Sequence, residues 1–348
     1  MLLSKLYLVH FRNFAKKEVE FSPYLTLIVG ENAKGKTSLL EAIYTSVFGR
    51  GYRESREFEL ISWDEDQGLI ETVFTTQEDS SLFQIRLLRK ADDRVEKQFY
   101  VNKSKKSSMQ YKKFQTKAVL FAPEHISIVD GSPSKRRNYF DSVICEFDNH
   151  YKKSLRNYEN ALRRRNKVLE NHSSEYQLDM ELPFWNNYLL EHGAYITKKR
   201  SEYMQYLNDH PQVDGKEFAI EYLKNEFNET RMRKAFEQEK RMRRTVIGPQ
   251  KDEFLITLKN NREKNVHLYG SRSEQRLGVF WLKLNEIRYF EEVLKKKPLL
   301  LLDDVFSELD ENNKELVMKV VKSYQTVITT TEDHLEDLAD QPETIIQL

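Results

Sequence analysis

The stretch Leu25-Thr-Leu-Ile-Val-Gly30-Glu-Asn-Ala-Lys-Gly-Lys36-Thr37 decides the fold of this chain. It starts as a short apolar run, which is typical of a buried strand. It continues as G-x-x-x-x-G-K-T and leads into a predicted helix from about Lys36 to Val47, closed by Gly49. Strand, loop and helix in this order surround an anion with backbone N–H groups and the positive end of the helix dipole. The stretch therefore predicts an α/β domain with a phosphate-binding loop.

The residues of this loop have separate predicted roles. We expect the Lys36 ammonium to contact the β- and γ-phosphates of a nucleotide during catalysis, and the Thr37 hydroxyl to ligate Mg²⁺. Asn32 suits the turn because it tolerates left-handed backbone angles. The predicted nucleotide contacts in the loop are Gly30, Glu31, Asn32, Ala33, Lys34, Gly35, Lys36, Thr37 and Ser38.

A second motif, which is acidic, lies near the end of the chain. The run Leu299-Leu-Leu-Leu-Asp303-Asp304 is a Walker B pattern, in which an apolar strand delivers two carboxylates at its carboxyl end. Asp303 is the predicted residue of the Mg²⁺ shell. Asp304 is the predicted catalytic base that orients water for attack on the γ-phosphate.

The separation of the two motifs indicates how the chain is organised. One sheet must contain strands from both chain ends, as in ABC-type and SMC-type heads, and the middle is then an insertion. From Ser134 to about Arg244 the sequence is polar, poor in glycine and helix-favouring, with a loop or hinge predicted over residues 171–183. We expect an α/β head of residues 1–130 and 245–348, with an inserted, mainly helical arm of residues 131–244.

Composition limits the remaining possibilities. The 348 residues are 39% hydrophobic and 32% charged, which fits a soluble globular protein. There is no apolar run of about 18 residues, so no membrane association is expected. Cys145 is the only cysteine, which favours a reducing, cytoplasmic setting. With 56 basic and 55 acidic residues, any nucleic-acid surface must be a local patch.

Several segments resemble the RecF family. The loop and the helix after it, Gly30 to Ile43, are similar to the opening of that family, as is Phe11-Arg-Asn-Phe14. Further similar segments, in the family's order and spanning Leu2 to about Thr331, are Phe48 to Arg56, Phe121 to His125, Gly131 to Asp141, Gly248 to Glu253 and Leu300 to Asp310.

The resemblance implies a function. RecF proteins are head ATPases with a helical arm that form ATP-dependent homodimers, with Mg²⁺ at the nucleotide. They bind double-stranded and gapped DNA, and with RecO and RecR they help to load RecA in recombinational repair, replication restart and the SOS response. A weak DNA-dependent ATPase is therefore expected.

The resemblance also assigns residues. Arg12 corresponds to an arginine that contacts the nucleotide, and Asp310 lies in the D-loop at the dimer interface. Ser271, Ser273 and Gln275 belong to the signature motif, which contacts the nucleotide of the partner subunit. Ser273 stands where the family usually has glycine, and its Cβ narrows the approach to the γ-phosphate, so slow hydrolysis is expected.

Basic side chains that neutralise phosphates give DNA affinity without sequence specificity. Acidic residues such as Glu159 and Glu202 are interleaved with the basic clusters, so an ordinary solvated helix face remains the alternative for each residue. The candidate contacts are Lys103, Lys105, Arg163, Arg164, Arg165, Lys198, Lys199 and Arg200.

Two other functions remain open. One is a structural clamp that is gated by nucleotide but hydrolyses almost none, which Ser273 favours. The other is a different ABC-type ATPase, from a defence system or an SMC relative. His334 is not assigned as a catalytic switch, because the family has threonines in this region.

Overall fold

The computed structural model describes residues 1–53, 56–114, 116–172, 174–259, 263–308, 311–331 and 342–348. These residues form two compact units, Met1–Glu124 with Glu286–Leu348, and His125–Asn285. The elements, in chain order, are β1 (Leu2–Phe11), β2 (Phe14–Glu20), β3 (Leu25–Val29), α1 (Lys36–Phe48), β4 (Gln67–Thr75), β5 (Ser80–Arg89), β6 (Val95–Val101), β7 (Ser104–Lys106), α2 (Ser108–Phe114), β8 (Ala118–Phe121), α3 (Ser127–Asp130), α4 (Pro133–Phe147), α5 (Asn149–Asn171), α6 (Glu175–Asp209), β9 (Gln212–Val213), β10 (Lys216–Leu223), α7 (Glu229–Met242), β11 (Glu253–Lys259), β12 (Glu263–Asn265), α8 (Val266–Tyr269), α9 (Arg272–Leu294), β13 (Leu299–Asp303), α10 (Glu311–Val321), β14 (Thr326–Thr330) and β15 (Thr344–Gln347).

The first unit contains a parallel sheet assembled from both chain ends, in the order β15-β3-β14-β13-β8. Every residue of β3, β8, β13 and β14 is buried, which explains why β3, β8 and β13 are mainly apolar. Because the strands are parallel, the ends of β3 and β13 meet at one edge, with β14 between them. The expected α/β head assembled from both termini is confirmed.

The same unit has a second, antiparallel sheet in the order β2-β1-β4-β5-β6-β7. Helix α1 contacts strands of both sheets, so its apolar residues are buried on more than one side. Leu39 and Ile43 of this helix are 0% exposed, as are Leu6, Ile70 and Ile85 of the antiparallel sheet. This shared core fixes the start of α1, and with it the loop that precedes the helix.

The second unit contains helices and a four-stranded antiparallel sheet, in the order β12-β11-β10-β9. Strands β10 and β11 pair from Glu217↔Lys259 to Leu223↔Glu253, which ties residues on both sides of position 245 into one sheet. The chain returns to the first unit at Glu286, whereas the predicted boundary was residue 245, and the second unit contains this sheet beside its helices.

The loop expected over residues 171–183 is also much shorter in the structure. Ser174 begins α6 by accepting a hydrogen bond from the Gln177 backbone N–H at 3.3 Å, and Pro183 lies inside this helix. The cap offsets unsatisfied backbone donors of the first turn, so the helix starts eight residues before its proline. Helices α5 and α6 then pack side by side.

Two arginines of the second unit are buried in networks of hydrogen bonds. The Arg165 guanidinium is 0% exposed and donates to Glu239 at 2.6 Å, Thr245 at 2.7 Å and Asn186 at 2.8 Å. Arg200 is 2% exposed and donates to Asp141 and Asp252. Removing one partner of such a buried ion pair leaves an unpaired charge inside the protein, which lowers the free energy of unfolding by several kcal/mol.

We expect Arg165→Ala to lower the free energy of unfolding by about 3–5 kcal/mol, because it leaves the Glu239 carboxylate buried without its cation. Arg164→Ala, one residue away and exposed, is the matched control and should change stability by less than about 0.5 kcal/mol. The measurement is urea unfolding followed by circular dichroism. Equal midpoints for the two variants would contradict the structural role of Arg165.

Candidate nucleotide-binding site

The loop between β3 and α1 has the backbone that an anion site requires. Ala33 and Gly35 have positive φ angles of 67° and 103°. A Cβ atom on Gly35 would lie 2.5 Å from Asn13 Nδ2 and 2.7 Å from Phe14 Cζ. The Asn13 side chain in turn donates to the Lys34 carbonyl at 3.3 Å. Glycine is therefore required at position 35 both by its φ angle and by the close approach of the β1–β2 turn.

Lys36 is folded into the loop that precedes it. Its side chain is nearly buried, and its Nζ donates to the carbonyls of Gly30 at 2.5 Å and Glu31 at 3.0 Å. Glu31 and Lys34 form an exposed ion pair at 3.7 Å. The ammonium thus lies within the ring of backbone groups where the sequence predicts phosphates.

The Asp303 carboxylate receives three hydroxyl groups. Its Oδ1 accepts from Thr37 at 3.0 Å and from Thr329 of β14 at 2.8 Å, and its Oδ2 accepts from Tyr52 at 2.8 Å. Burial, together with the Asp303 carboxylate, raises the pKa of Tyr52 far above its ordinary value, so the phenol remains a donor. The Thr37 hydroxyl and the Asp303 carboxylate are hard oxygen ligands that converge, and they fit a Mg²⁺ ion.

Asp304 follows the strand in a left-handed conformation, with φ of 48°. Its backbone N–H donates to the carbonyl of Thr329 at 3.2 Å and to the Thr329 hydroxyl at 3.0 Å. Asp304 lines the same cavity as Lys36 and Thr37. The two neighbouring carboxylates therefore have separate positions, one within the hydroxyl cluster and one facing the cavity.

A buried carboxylate orients the arginines on another side of this cavity. Glu41 of α1 is 0% exposed and accepts both Arg12 Nε at 2.8 Å and Arg12 Nη2 at 3.0 Å, while Arg53 lies 3.6 Å away. A bidentate pair of this kind fixes the plane of the guanidinium. Arg12, which the family resemblance assigns to the nucleotide, is held at the wall of the cavity.

The cavity is large enough for a whole nucleotide, with a volume of about 960 Å³. Its wall includes the loop residues Asn32, Ala33, Gly35, Lys36, Thr37 and Ser38 together with Phe58, Glu59 and residues 61–66. The sequence analysis missed Glu41, Tyr52, Arg53 and Trp63. Glu41, Tyr52 and Arg53 lie in segments that resemble the family, but the resemblance assigned them no role, and no motif pointed to Trp63.

The signature residues lie in the second unit, at the start of α9. Ser271 and Glu274 cap this helix reciprocally: Ser271 N–H donates to the Glu274 carboxylate at 2.7 Å, and Glu274 N–H donates to Ser271 Oγ at 3.3 Å. Gln275 is buried and its amide donates to the Val266 carbonyl at 3.3 Å. Ser273 lies in the capped first turn, whereas Asp310 and His334 lie outside the described residues.

The structure separates the predicted DNA contacts by their burial. Arg165 and Arg200 are buried in ion pairs and are removed from the candidates, because their guanidinium groups are already satisfied inside the protein. Lys199 is partly exposed and pairs with Glu202 at 2.7 Å. The exposed candidates are Lys103, Lys105, Arg163, Arg164 and Lys198.

Arg163 and Arg164 belong to a longer basic face of α5 that the sequence analysis did not define. At 100° per residue, the exposed basic residues of this helix fall within an arc of about 120° and span about 22 Å. Between Lys152 and Lys167, Glu159 is the only acidic residue. The exposed residues, called here the α5 basic face, are Lys152, Lys153, Arg156, Arg163, Arg164 and Lys167.

Comparison with known proteins agrees with this architecture. The family described as the RecF/RecN/SMC N terminal domain matches residues 2–347. A DNA replication and repair protein RecF from Clostridium botulinum (strain Okra / Type B1) is 30% identical over 346 residues, covering 95% of this chain and 93% of that protein. This chain belongs to the RecF family.

Two solved structures extend the similarity to the fold. The recombination mediator protein RecF-ATPrS superimposes with a TM-score of 0.86 and 29% identity, covering 99% of this chain and 95% of that one. RecF-ATP of the RecFOR pathway has a TM-score of 0.81 and 29% identity, covering 95% and 93%. The α/β head of the ABC/SMC type is thereby confirmed. In the described part of the chain, no helix is both long and apolar enough to cross a membrane.

We expect Gly35→Ala to weaken ATP binding at least about tenfold, because the added Cβ meets Asn13 and Phe14 in a left-handed backbone. Gly215→Ala is the matched control, since Gly215 has a φ of 67° but no atom within 4 Å of the added Cβ. Isothermal titration calorimetry with ATP measures both variants. If Gly35→Ala binds ATP as tightly as the control does, the loop geometry is not what holds the nucleotide.

Proposed function

We propose that this chain is a RecF-type protein of DNA repair: it binds ATP with Mg²⁺, dimerises around the nucleotide, and binds gapped and double-stranded DNA. The observation that carries the proposal is the hydrogen bond from Thr37 of the phosphate loop to Asp303 of β13, in a cavity that also holds Lys36 and Asp304. The ATP complexes of RecF relatives support the choice of nucleotide. The proposal also includes that this chain acts in the cytoplasm, where it helps RecO and RecR to load RecA.

The residues of the cavity have distinct parts in ATP hydrolysis. Lys36 contacts the phosphates, the Gly35 and Lys36 region supplies backbone N–H groups, and Arg12 is held toward the nucleotide by Glu41. Thr37 and Asp303 would hold Mg²⁺, which would supply positive charge beside the phosphates. Asp304 accepts the proton of the attacking water or orients that water.

The capped start of α9 favours slow hydrolysis. Its first-turn N–H groups are engaged by Ser271 and by the Glu274 carboxylate, which Lys264 holds at 2.7 Å. Lys264 and Ser271 lower the pKa of Glu274 despite partial burial, so this side chain is an anion at neutral pH. An anion here opposes the γ-phosphate of a partner subunit, and Ser273 adds a Cβ beside it. Both features also favour the alternative function, a nucleotide-gated clamp with negligible hydrolysis.

We expect Asp304→Asn to reduce the rate of ATP hydrolysis at least about a hundredfold while ATP affinity stays near that of the unmodified protein, because only the proton acceptor is lost. Phosphate release and calorimetry measure the two quantities. Lys36→Met is the companion variant and should lose affinity as well. Unchanged turnover in Asp304→Asn would exclude its role as base. If the unmodified protein binds ATP without turnover, the clamp is the correct function.

The central experiment is a titration of the protein into a fluorescently labelled gapped duplex, followed by anisotropy at one fixed salt concentration. We expect binding to strengthen with Mg²⁺-ATP, because nucleotide assembles the dimer, and this gain to disappear in Lys36→Met. Light scattering under the same conditions should report the dimer. Adding purified RecR of the same organism tests the proposed partner. DNA binding that ignores ATP would leave an ABC-type ATPase with a different substrate.

We expect the α5 basic face to supply phosphate contacts. Replacing Arg163 and Arg164 by alanine should reduce the slope of log affinity against log salt by about two, since each phosphate contact contributes about 0.9. The matched control is Lys295→Ala with Lys296→Ala, which removes the same charge from another exposed segment. Equal slopes for both double variants would move the DNA surface away from α5.

A further inference from the structure

Trp63 has the highest exposed fraction, 89%, of the large apolar side chains in the described residues. Exposing an indole is unfavourable, because tryptophan offers one of the largest apolar surfaces of any residue. The faces of the Trp63 ring are therefore accessible to a planar ligand.

The backbone that carries Trp63 is fixed. Ser62 N–H donates to the His10 carbonyl of β1 at 2.9 Å, and Glu65 N–H donates back to the Ser62 carbonyl at 3.2 Å, which closes a tight turn. Arg89 N–H at the end of β5 donates to the Asp66 carbonyl at 2.8 Å. The turn is thus attached at both ends to the antiparallel sheet, so the backbone of Trp63 has a defined place.

That place is the wall of the nucleotide cavity. Trp63 lines the same space of about 960 Å³ as Gly35, Lys36 and Thr37. Phosphates on the loop occupy only part of a cavity of this size, because such volumes hold entire small-molecule ligands. The remaining space is available to the sugar and the base.

Phe58 is the other aromatic residue that lines this cavity, and its ring already contacts two arginine side chains. The Arg89 guanidinium lies 4.9 Å from the centre of the Phe58 ring, and the Arg56 guanidinium lies 5.9 Å from it. These distances are typical of cation–π contacts. Trp63 is therefore the aromatic surface of the cavity that is open to a planar ligand.

We propose that Trp63 is the stacking platform for the base of the nucleotide, and that it determines how strongly the cavity binds a nucleotide beyond its phosphates. The inference rests on the proposed binding of ATP at the phosphate loop. Every nucleobase has a π face, and stacking on an aromatic side chain contributes to affinity without hydrogen bonds to the base edge. Trp63 is thus a specificity residue for nucleotides over inorganic polyphosphate.

The indole itself provides the test. The chain has three tryptophans, and the other two are Trp185, half-buried, and Trp281, fully buried. At constant Mg²⁺, ATP should quench the tryptophan emission of the full-length protein. Inorganic tripolyphosphate should compete with ATP but leave the emission unchanged, because it has no base. Trp185→Phe is the matched control and should retain the quench by ATP.

Substitution then separates the base from the phosphates. Trp63→Leu should remove the quench and weaken ATP binding about tenfold, with unchanged affinity for tripolyphosphate, while Trp63→Phe should retain most of the ATP affinity. Because the side chain is exposed, these variants should fold as the unmodified protein does, which circular dichroism checks.

Two results would overturn the inference, and they differ. If Trp63→Leu binds ATP as tightly as the unmodified protein, the stacking platform is wrong although the phosphate loop stands. If neither ATP nor tripolyphosphate binds the unmodified protein, the proposed function fails at the phosphate loop, and the assignment of Trp63 fails with it.

Discussion

The hydrogen bonds to the Asp303 carboxylate are the interaction on which the nucleotide site depends. They connect α1 through Thr37, β14 through Thr329 and the segment after α1 through Tyr52, so three separate parts of the chain are held at one carboxylate. A buried carboxylate is costly unless its oxygens accept such bonds. A Mg²⁺ ion would bind the same carboxylate oxygens. The atoms that hold these three segments together are therefore also the atoms proposed to bind the metal.

The parallel sheet makes this convergence possible. Residues 25–29 and 299–303 are almost the whole chain apart in sequence, yet β14 pairs with both strands and places their carboxyl ends at one edge. Every residue of both strands is buried, so the strands lie within the core of the unit on both faces of the sheet.

Two neighbouring arginines of α5 lie in opposite environments, one exposed to solvent and one buried. Arg164 faces solvent and Arg165 is enclosed by Glu239, Thr245 and Asn186, although both belong to one run of three arginines. The composition and spacing of the sequence do not distinguish the exposed arginine from the buried one. The rotation of 100° per residue and the partners that other segments bring decide which arginine holds the fold together and which is available to a polyanion.

The sequence by itself determined the phosphate loop, the Walker B strand and the assembly of the head from both termini. Those features depend on local patterns, namely an apolar run, glycines at fixed spacing and a helix start, whose physical meaning does not need distant partners. The limits of the second unit, in contrast, depend on contacts between segments that are distant in the sequence. Residues 216–223 form a strand because residues 253–259 pair with them, and the predicted boundary at residue 245 divided that sheet.

Only the tertiary structure decided which side chains surround the nucleotide site. Glu41 and Tyr52 lie in segments that resemble the family, but the pattern does not name their partners, which are the Arg12 guanidinium and the Asp303 carboxylate. The position of Trp63 at the cavity wall likewise comes from the fold. The reason is physical: burial, ion pairing and exposure are properties of an environment built by distant segments. A local pattern can specify a backbone shape, but it cannot specify the neighbours of a side chain.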